Sequence, residues 1–152
     1  MARRRQPLRE MYQMLNTACF AGRLPPTMPT GVYGVNLGAV VVRRTGLRAF
    51  MLGLRGKRRG PAVSGSLGTF RPPGPFMPAQ IRVVAHLSAE QERRVLLHEM
   101  AHLAVWAAGF HDEGHGPRFV GELERLARFG EGWAPEEAAR YTSFSESEVG
   151  TT

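Results

Sequence analysis

The chain has 152 residues, a net charge of +7 and a single cysteine, Cys19. Its length suits one domain with its own core, and one cysteine excludes an intramolecular disulfide and suits a reducing compartment. No apolar run reaches the roughly 20 residues that cross a membrane. We expect a cytoplasmic protein, and separately we expect a monomer.

Charge is divided unevenly along the chain. Residues 1–80 hold 13 Lys and Arg but one acidic residue, whereas residues 81–152 hold 7 basic and 12 acidic residues. Such asymmetry is typical of a protein that binds nucleic acid, and nucleoid association would follow. Codon bias would explain why arginine outnumbers lysine, but it would not explain the missing acids. The alternative is a solvated basic face that only keeps the protein soluble.

Apolar residues recur at helical spacing near the start of the chain: Leu8, Met11, Tyr12, Leu15 and Cys19. Gly22 ends this predicted first helix, and a proline-rich connector follows. A strand-like pattern broken by glycines comes next. Its candidate strands are Val32–Val35, Ala39–Val42, Leu47–Leu54 and Val63–Phe70. A clearer strand, Ile81–Leu87, leads into the next helix.

The strand region carries a cluster of basic residues without a nearby acid in the sequence. Arginine binds phosphate through bidentate contacts, so we expect a phosphate-binding face on the sheet, with Arg3–Arg5 as further candidates. The candidate nucleic-acid-binding residues are Arg43, Arg44, Arg48, Arg55, Lys57, Arg58 and Arg59.

The second half of the chain is predicted to be helical. Ser88–Gln91 has the pattern of a capping box, so a helix should begin near Ala89, and Gly109 is its natural end. Further helices are predicted over Pro117–Phe129 and Pro135–Tyr141. The predicted fold class is α+β, with a small antiparallel sheet packed against the Ala89 helix and two or three others. Residues 1–142 would form the domain, in a basic half (1–80) and a second half (81–142) that carries the histidine motif described next, and residues 143–152 a polar tail.

The helix that begins near Ala89 contains a His-Glu-x-x-His motif. His98 and His102 project from one helix face and can bind one Zn²⁺, while Glu99 lies beside the metal and can act as a base. The motif predicts a zinc-bound water that Glu99 activates, with the proton passed to a leaving amine. A buried polar cluster without metal is the alternative.

A catalytic zinc site needs a third protein ligand. His115 is the best candidate, because glycines on both sides let the backbone approach the metal. Glu122 is the runner-up, at a distance that resembles the gluzincin arrangement, and His111 lies in a polar loop. The remaining candidates are Asp112, Glu113 and Glu124. Tyr141 is a further candidate, for polarising the scissile carbonyl.

The motif His98-Glu99-Met100-Ala101-His102, followed by Glu113-Gly114-His115-Gly116-Pro117-Arg118-Phe119, resembles the SprT-like (Spartan-like) zinc metalloprotease family. Weaker likeness extends over residues 8–129. The resemblance implies a zincin-like single domain with one zinc ion held by His98, His102 and His115, and Glu99 as the catalytic acid and base. Many members also carry a cysteine-rich zinc ribbon. This chain has too few cysteines for one, so dependence on DNA is not implied.

Three functions therefore remain open. The first, which we favour, is a zinc-dependent endopeptidase acting on proteins associated with or crosslinked to DNA. The second is a nucleic-acid-binding protein with a structural zinc site. The third is a peptidase with no nucleic-acid role, whose basic half reflects compositional bias. Peptide cleavage separates the first from the second, and salt-dependent DNA binding separates it from the third.

Overall fold

A computed structural model of the protein describes residues 5–27, 38–48, 67–112 and 114–147. Its elements, numbered in chain order, are α1 (Leu8–Phe20), β1 (Val40–Thr45), β2 (Gly68–Arg71), β3 (Ala79–Val84), α2 (Ala89–Ala107), α3 (Pro117–Arg128) and α4 (Ala134–Ser147). The content agrees with the predicted α+β class. None of the helices in these described ranges combines the length and apolar character needed to span a membrane.

The chain divides into two compact units, Met1–Glu99 and Met100–Thr152. The helix α2 begins in the first unit and ends in the second. The domain boundaries expected from the sequence, with halves meeting at residue 80 and a tail from 143, stay predictions.

The three described strands form one mixed sheet in the first unit. Strand β3 is central, with β1 parallel to it on one side and β2 antiparallel on the other. The expected antiparallel sheet is therefore right for β2 and β3 but wrong for β1 and β3. Period-two alternation shows that a segment is a strand, but it does not encode the direction of the neighbouring strand.

Strand bounds follow pairing rather than composition. The predicted strand Ala39–Val42 appears as β1, and Ile81–Leu87 appears as β3, which begins earlier because Ala79 pairs with Val40. Only the end of the predicted strand Val63–Phe70 lies within the described residues, as β2. Val32–Val35 and nearly all of Leu47–Leu54 lie outside them.

Helix α1 packs on β1 and confirms the first predicted helix. Ala21 and Gly22 end it in the left-handed region, with φ of 53° and 70°, and the Gly22 N–H donates to the Asn16 carbonyl at 2.9 Å. Tyr12 is fully buried and donates to the Pro25 carbonyl at 2.6 Å. Burial raises the pKa of Tyr12, so its hydroxyl remains a donor. Cys19 is also buried, as packing requires.

The predicted capping box begins α2. The Ser88 N–H donates to Gln91 Oε1 at 3.1 Å, and the Gln91 N–H donates to Ser88 Oγ at 3.2 Å. These reciprocal bonds satisfy backbone donors at the first turn, which is why the helix begins at Ala89.

In the second unit, α3 and α4 pack against each other. Phe119, Leu123 and Leu126 are fully buried on one face of α3, whose start at Pro117 confirms the prediction. The last helix is longer than predicted and continues to Ser147, because no Gly or Pro interrupts residues 136–149. Residues 143–147 of the expected tail are therefore helical.

Candidate metal centre

Helix geometry and one loop bring three histidines together. His98 and His102 lie four residues apart on α2, so their side chains lie on the same face one turn apart. His115 lies in the loop before α3, after Gly114, whose φ is +57°. One ring nitrogen from each of the three histidines falls within 4.8 Å of the others. This group could hold a metal ion.

The distance between two of the rings supports that reading. Nε2 of His102 and Nε2 of His115 lie 3.1 Å apart. A hydrogen bond between two neutral imidazoles would also give this distance, provided that one ring carries its proton on Nε2. It would not explain why the third imidazole, that of His98, converges on the same pair. Three converging acceptor nitrogens fit a cation better than they fit one shared proton.

Aromatic rings of α3 and α4 flank two of these histidines. The ring of Phe119 stacks on His102 with centroids 4.2 Å apart and meets the edge of His115 at 4.8 Å. The ring of Tyr141 also stacks on His115, with centroids 4.2 Å apart and planes only 4° from parallel. Phe119 is fully buried, so it forms an apolar floor behind the two rings.

Glu99 follows His98 on α2, and its side chain is buried at 5 % exposure. The backbone of β2 comes close to it at Gly68. A Cβ on Gly68 would lie 2.6 Å from Val95 Cγ1 and 2.9 Å from Glu99 Oε1, so only glycine fits there without a shift. The carboxylate therefore sits in a tight space between α2 and β2. Sequence reasoning had no local signal for this packing.

The other candidate ligands lie elsewhere. The carboxylate of Glu122 accepts hydrogen bonds from Arg125 at 2.9 and 2.7 Å, so it is engaged along α3. His111 stacks on Trp106 at 4.8 Å. The candidate metal-binding group found among the described residues consists of the three histidines alone. It does not include His111, Asp112, Glu122 or Glu124. Glu113 lies outside those residues.

One member of the predicted basic cluster has an acidic partner. Arg44 on β1 donates to both carboxylate oxygens of Glu92 and, at 2.7 Å, to the Gln6 carbonyl. Arg5 donates to Glu92 at 3.1 Å and to the Leu87 carbonyl at 2.6 Å. The assumption that no nearby acid neutralises the cluster is therefore wrong for Arg44. The acid lies 48 residues away in sequence, which charge counting along the chain could not detect.

The remaining candidates divide into two groups. Arg43 and Arg48 are exposed in the described part of the chain. The other four, Arg55, Lys57, Arg58 and Arg59, lie outside it, as do Arg3 and Arg4.

The sheet adds two arginines that the sequence analysis missed. Arg82 on β3 pairs directly with Arg43 on β1, and Arg71 lies on β2 beside them. Burial first, and then the positive charges of Arg43 and Arg71, lower the pKa of Arg82. Three guanidiniums thus come from three adjacent strands. Period-two spacing would have grouped Arg71 and Arg82 with Arg43 only if the strand order had been known.

An α+β fold with two histidines one helical turn apart, a carboxylate between them and a third histidine nearby defines a candidate metal-dependent protein. Residues 78–137 match the model of the SprT-like family, which confirms the resemblance drawn from the motifs. The family is metallopeptidase-like, and the matched segment contains Glu99 and all three histidines. No curated protein and no solved structure was found to match the chain.

Proposed function

We propose that the protein is a zinc-dependent endopeptidase with a zincin-like fold, acting on proteins associated with or crosslinked to DNA. The observation that carries the proposal is the convergence of His98, His102 and His115, with the buried Glu99 next to His98 on α2. The family match over this segment supports the peptidase class.

The donor set suits zinc. Zinc bonds imidazole nitrogen at about 2.0–2.1 Å in a tetrahedral site, which separates two ligand nitrogens by roughly 3.3 Å. The 3.1 Å between the two Nε2 atoms is close to this value. The proposed ligands are therefore His98, His102 and His115, one ion in all. When bound, zinc would supply a Lewis acid that acidifies water and polarises a carbonyl.

The side chains of this site then have different roles in the proposed reaction. Glu99 accepts the proton of the attacking water and returns it to the leaving amine, so a carboxylate is needed at this position. The backbone of β2 at Gly68 lies close to this carboxylate. His115 is the most exposed of the three histidines, so substrate can approach from its side.

The DNA part of the proposal has separate support. The first unit holds 16 basic and 4 acidic residues, whereas the second holds 4 basic and 9 acidic. Arg43, Arg71 and Arg82 carry that charge on adjacent strands of the sheet. A polyanion such as the DNA backbone would neutralise it.

The experiment compares purified wild-type protein with Glu99→Gln. Each is loaded with zinc and incubated with a basic, DNA-binding protein, with and without single-stranded DNA. Glu99→Gln should retain zinc and its melting temperature, and its cleavage rate should fall at least about a hundredfold, because an amide cannot accept the proton. Zinc content is measured by elemental analysis.

Two further variants identify the third ligand. His115→Ala should bind zinc much more weakly, whereas Glu122→Ala should bind it as wild-type does, because Glu122 is engaged with Arg125. The opposite result would favour the gluzincin-like arrangement. Zinc binding without cleavage of any protein would favour the second candidate, a nucleic-acid-binding protein with a structural zinc. Substantial cleavage by zinc-loaded Glu99→Gln would remove Glu99 from the mechanism.

A further inference from the structure

The side chain of His115 needs a restraint that its own loop does not provide. It is exposed, and it follows Gly114 and precedes Gly116, so the neighbouring backbone has wide conformational freedom. His98 and His102, in contrast, are fixed by the helix that carries them. A ligand whose ring rotates freely loses more conformational entropy when a metal binds, and this lowers the affinity.

The structure supplies such a restraint from the last helix. Tyr141 on α4 lies flat against the His115 ring, with 4.2 Å between centroids and 4° between planes. Phe119 meets the same imidazole edge-on, at 4.8 Å and 78°, and meets Tyr141 at 5.7 Å and 81°. One ring therefore covers the face of His115 and another blocks its edge, which leaves the imidazole few orientations.

We propose that Tyr141 is a positioning residue that holds His115 in its metal-binding orientation by stacking on its ring. This inference rests on the proposed metal site and adds a residue to it. It also assigns α4 a function in the site, beyond packing against α3.

A metal ion bound to His115 should strengthen the stacking of Tyr141 on the His115 ring. A metal ion withdraws electron density from an imidazole bonded to it, and the electron-rich face of a tyrosine ring attracts the resulting positive ring. The stack should therefore favour the metal-bound state over the metal-free state. The aromatic face provides this effect, so phenylalanine should largely replace tyrosine and leucine should not.

The experiment measures zinc affinity by competition with a chelating dye for wild-type, Tyr141→Phe and Tyr141→Leu. Tyr141→Leu should bind zinc on the order of tenfold more weakly, the loss typical of removing an aromatic partner or a group that orients a ligand. Tyr141→Phe should stay within about threefold of wild-type, since it keeps the ring face. The visible spectrum of the cobalt-loaded protein should differ from that of wild-type in Tyr141→Leu and should be unchanged in Tyr141→Phe.

Thermal unfolding in the presence of a chelator is the control for folding. The metal-free leucine variant should melt near the wild-type temperature, because Tyr141 is only half-buried and leucine is a good helix former. A loss of zinc affinity that merely follows a loss of metal-free stability would mean that Tyr141 is only a packing residue.

Two other outcomes overturn the inference. Wild-type affinity in Tyr141→Leu would show that the stack does not hold His115. An equal loss in Tyr141→Phe and Tyr141→Leu would assign the effect to the hydroxyl. His115→Ala separates this test from the proposed function, since undiminished zinc affinity there would remove His115 from the proposed ligand set whatever Tyr141 does.

Discussion

Gly68 lies on β2, one of the two outer strands of the described sheet, where β2 meets α2 beside the carboxylate of Glu99. The nearest side-chain atoms to a Cβ at this position would be Val95 Cγ1 at 2.6 Å and two atoms of Glu99 at 2.9 and 3.0 Å. Valine is branched and cannot swing away without moving α2, while the Glu99 carboxylate can move. A methyl group here would therefore clash with Val95 and displace the carboxylate of Glu99, the residue proposed as the base.

We expect Gly68→Ala to lower the free energy of unfolding by about 1–3 kcal/mol, because it overpacks the junction of strand and helix. Cleavage by the zinc-loaded variant should fall further than its folded fraction, since the carboxylate is displaced. Urea unfolding and initial cleavage rates measure the two effects. Gly121→Ala is the control, because its Cβ would meet nothing within 4 Å and alanine favours the helix. Equal activity in Gly68→Ala and wild-type would show that Glu99 does not depend on this contact.

Several residues of the site could be located from sequence and others could not. The motif predicted a helix that carries His98, Glu99 and His102, and all three residues lie on α2. Their roles as ligands and base stay predictions. The stacking of Tyr141 on His115 and the approach of Gly68 to Glu99 join separate elements. Such contacts depend on how helices and strands pack, and no local pattern encodes them.

At the scale of elements, the charged network around Glu92 fastens α2 to β1. Glu92 is 1 % exposed, and Arg44 binds both of its carboxylate oxygens while Arg5 reaches one of them. The hydrogen bond with Glu92 raises the pKa of Arg44, so this guanidinium stays charged at any ordinary pH. A buried carboxylate that loses its main partner is costly, so the network should matter to folding more than a surface ion pair.

We expect Arg44→Ala to lower the free energy of unfolding by roughly 3 kcal/mol, because it leaves the buried carboxylate without its bidentate partner. Arg5→Ala should cost about 1 kcal/mol or less, since Arg5 is 40 % exposed and makes a single bond to Glu92. Urea unfolding of the metal-free proteins measures both. The double variant Arg44→Met/Glu92→Leu is the control, and it should recover much of the loss. Similar costs for Arg44→Ala and Arg5→Ala would contradict this account.

Local signals predicted where helices begin and end better than they predicted the sheet. The capping box at Ser88 and the glycine at Gly22 act through hydrogen bonds and backbone angles within a few residues. Strand direction depends on partners that lie far apart in sequence. Thr45 of β1 and Ala79 of β3, for example, are separated by a segment that includes β2, so parallel pairing could not be read from alternation.

For the whole molecule, charge follows the division into units. The excess of 12 positive charges lies in Met1–Glu99, and the excess of 5 negative charges lies in Met100–Thr152. Arg44 and Arg5 are engaged by Glu92, so they contribute less to any external interaction than counting suggests. Among the described residues, the group best placed for an anion is Arg43, Arg71 and Arg82, where like charges on adjacent strands already repel one another.

A phosphate backbone would relieve that repulsion. Removing two of these arginines should therefore weaken DNA binding without lowering the stability of the protein. We expect Arg43→Gln/Arg71→Gln to weaken DNA binding, and the slope of log affinity against log salt should fall by about 0.9 for each lost contact with duplex phosphate. The same variant should unfold at an equal or higher urea concentration than wild-type, because the charges that lower the pKa of Arg82 are gone.

The control is Arg128→Gln/Arg140→Gln, which removes the same net charge from the second unit and should leave the salt slope of DNA binding unchanged. An equal fall in both double variants would mean that net charge, and not this face, attracts DNA. Wild-type protein that shows no salt-sensitive DNA association even at low ionic strength would reject the DNA part of the proposed function and leave the peptidase part standing.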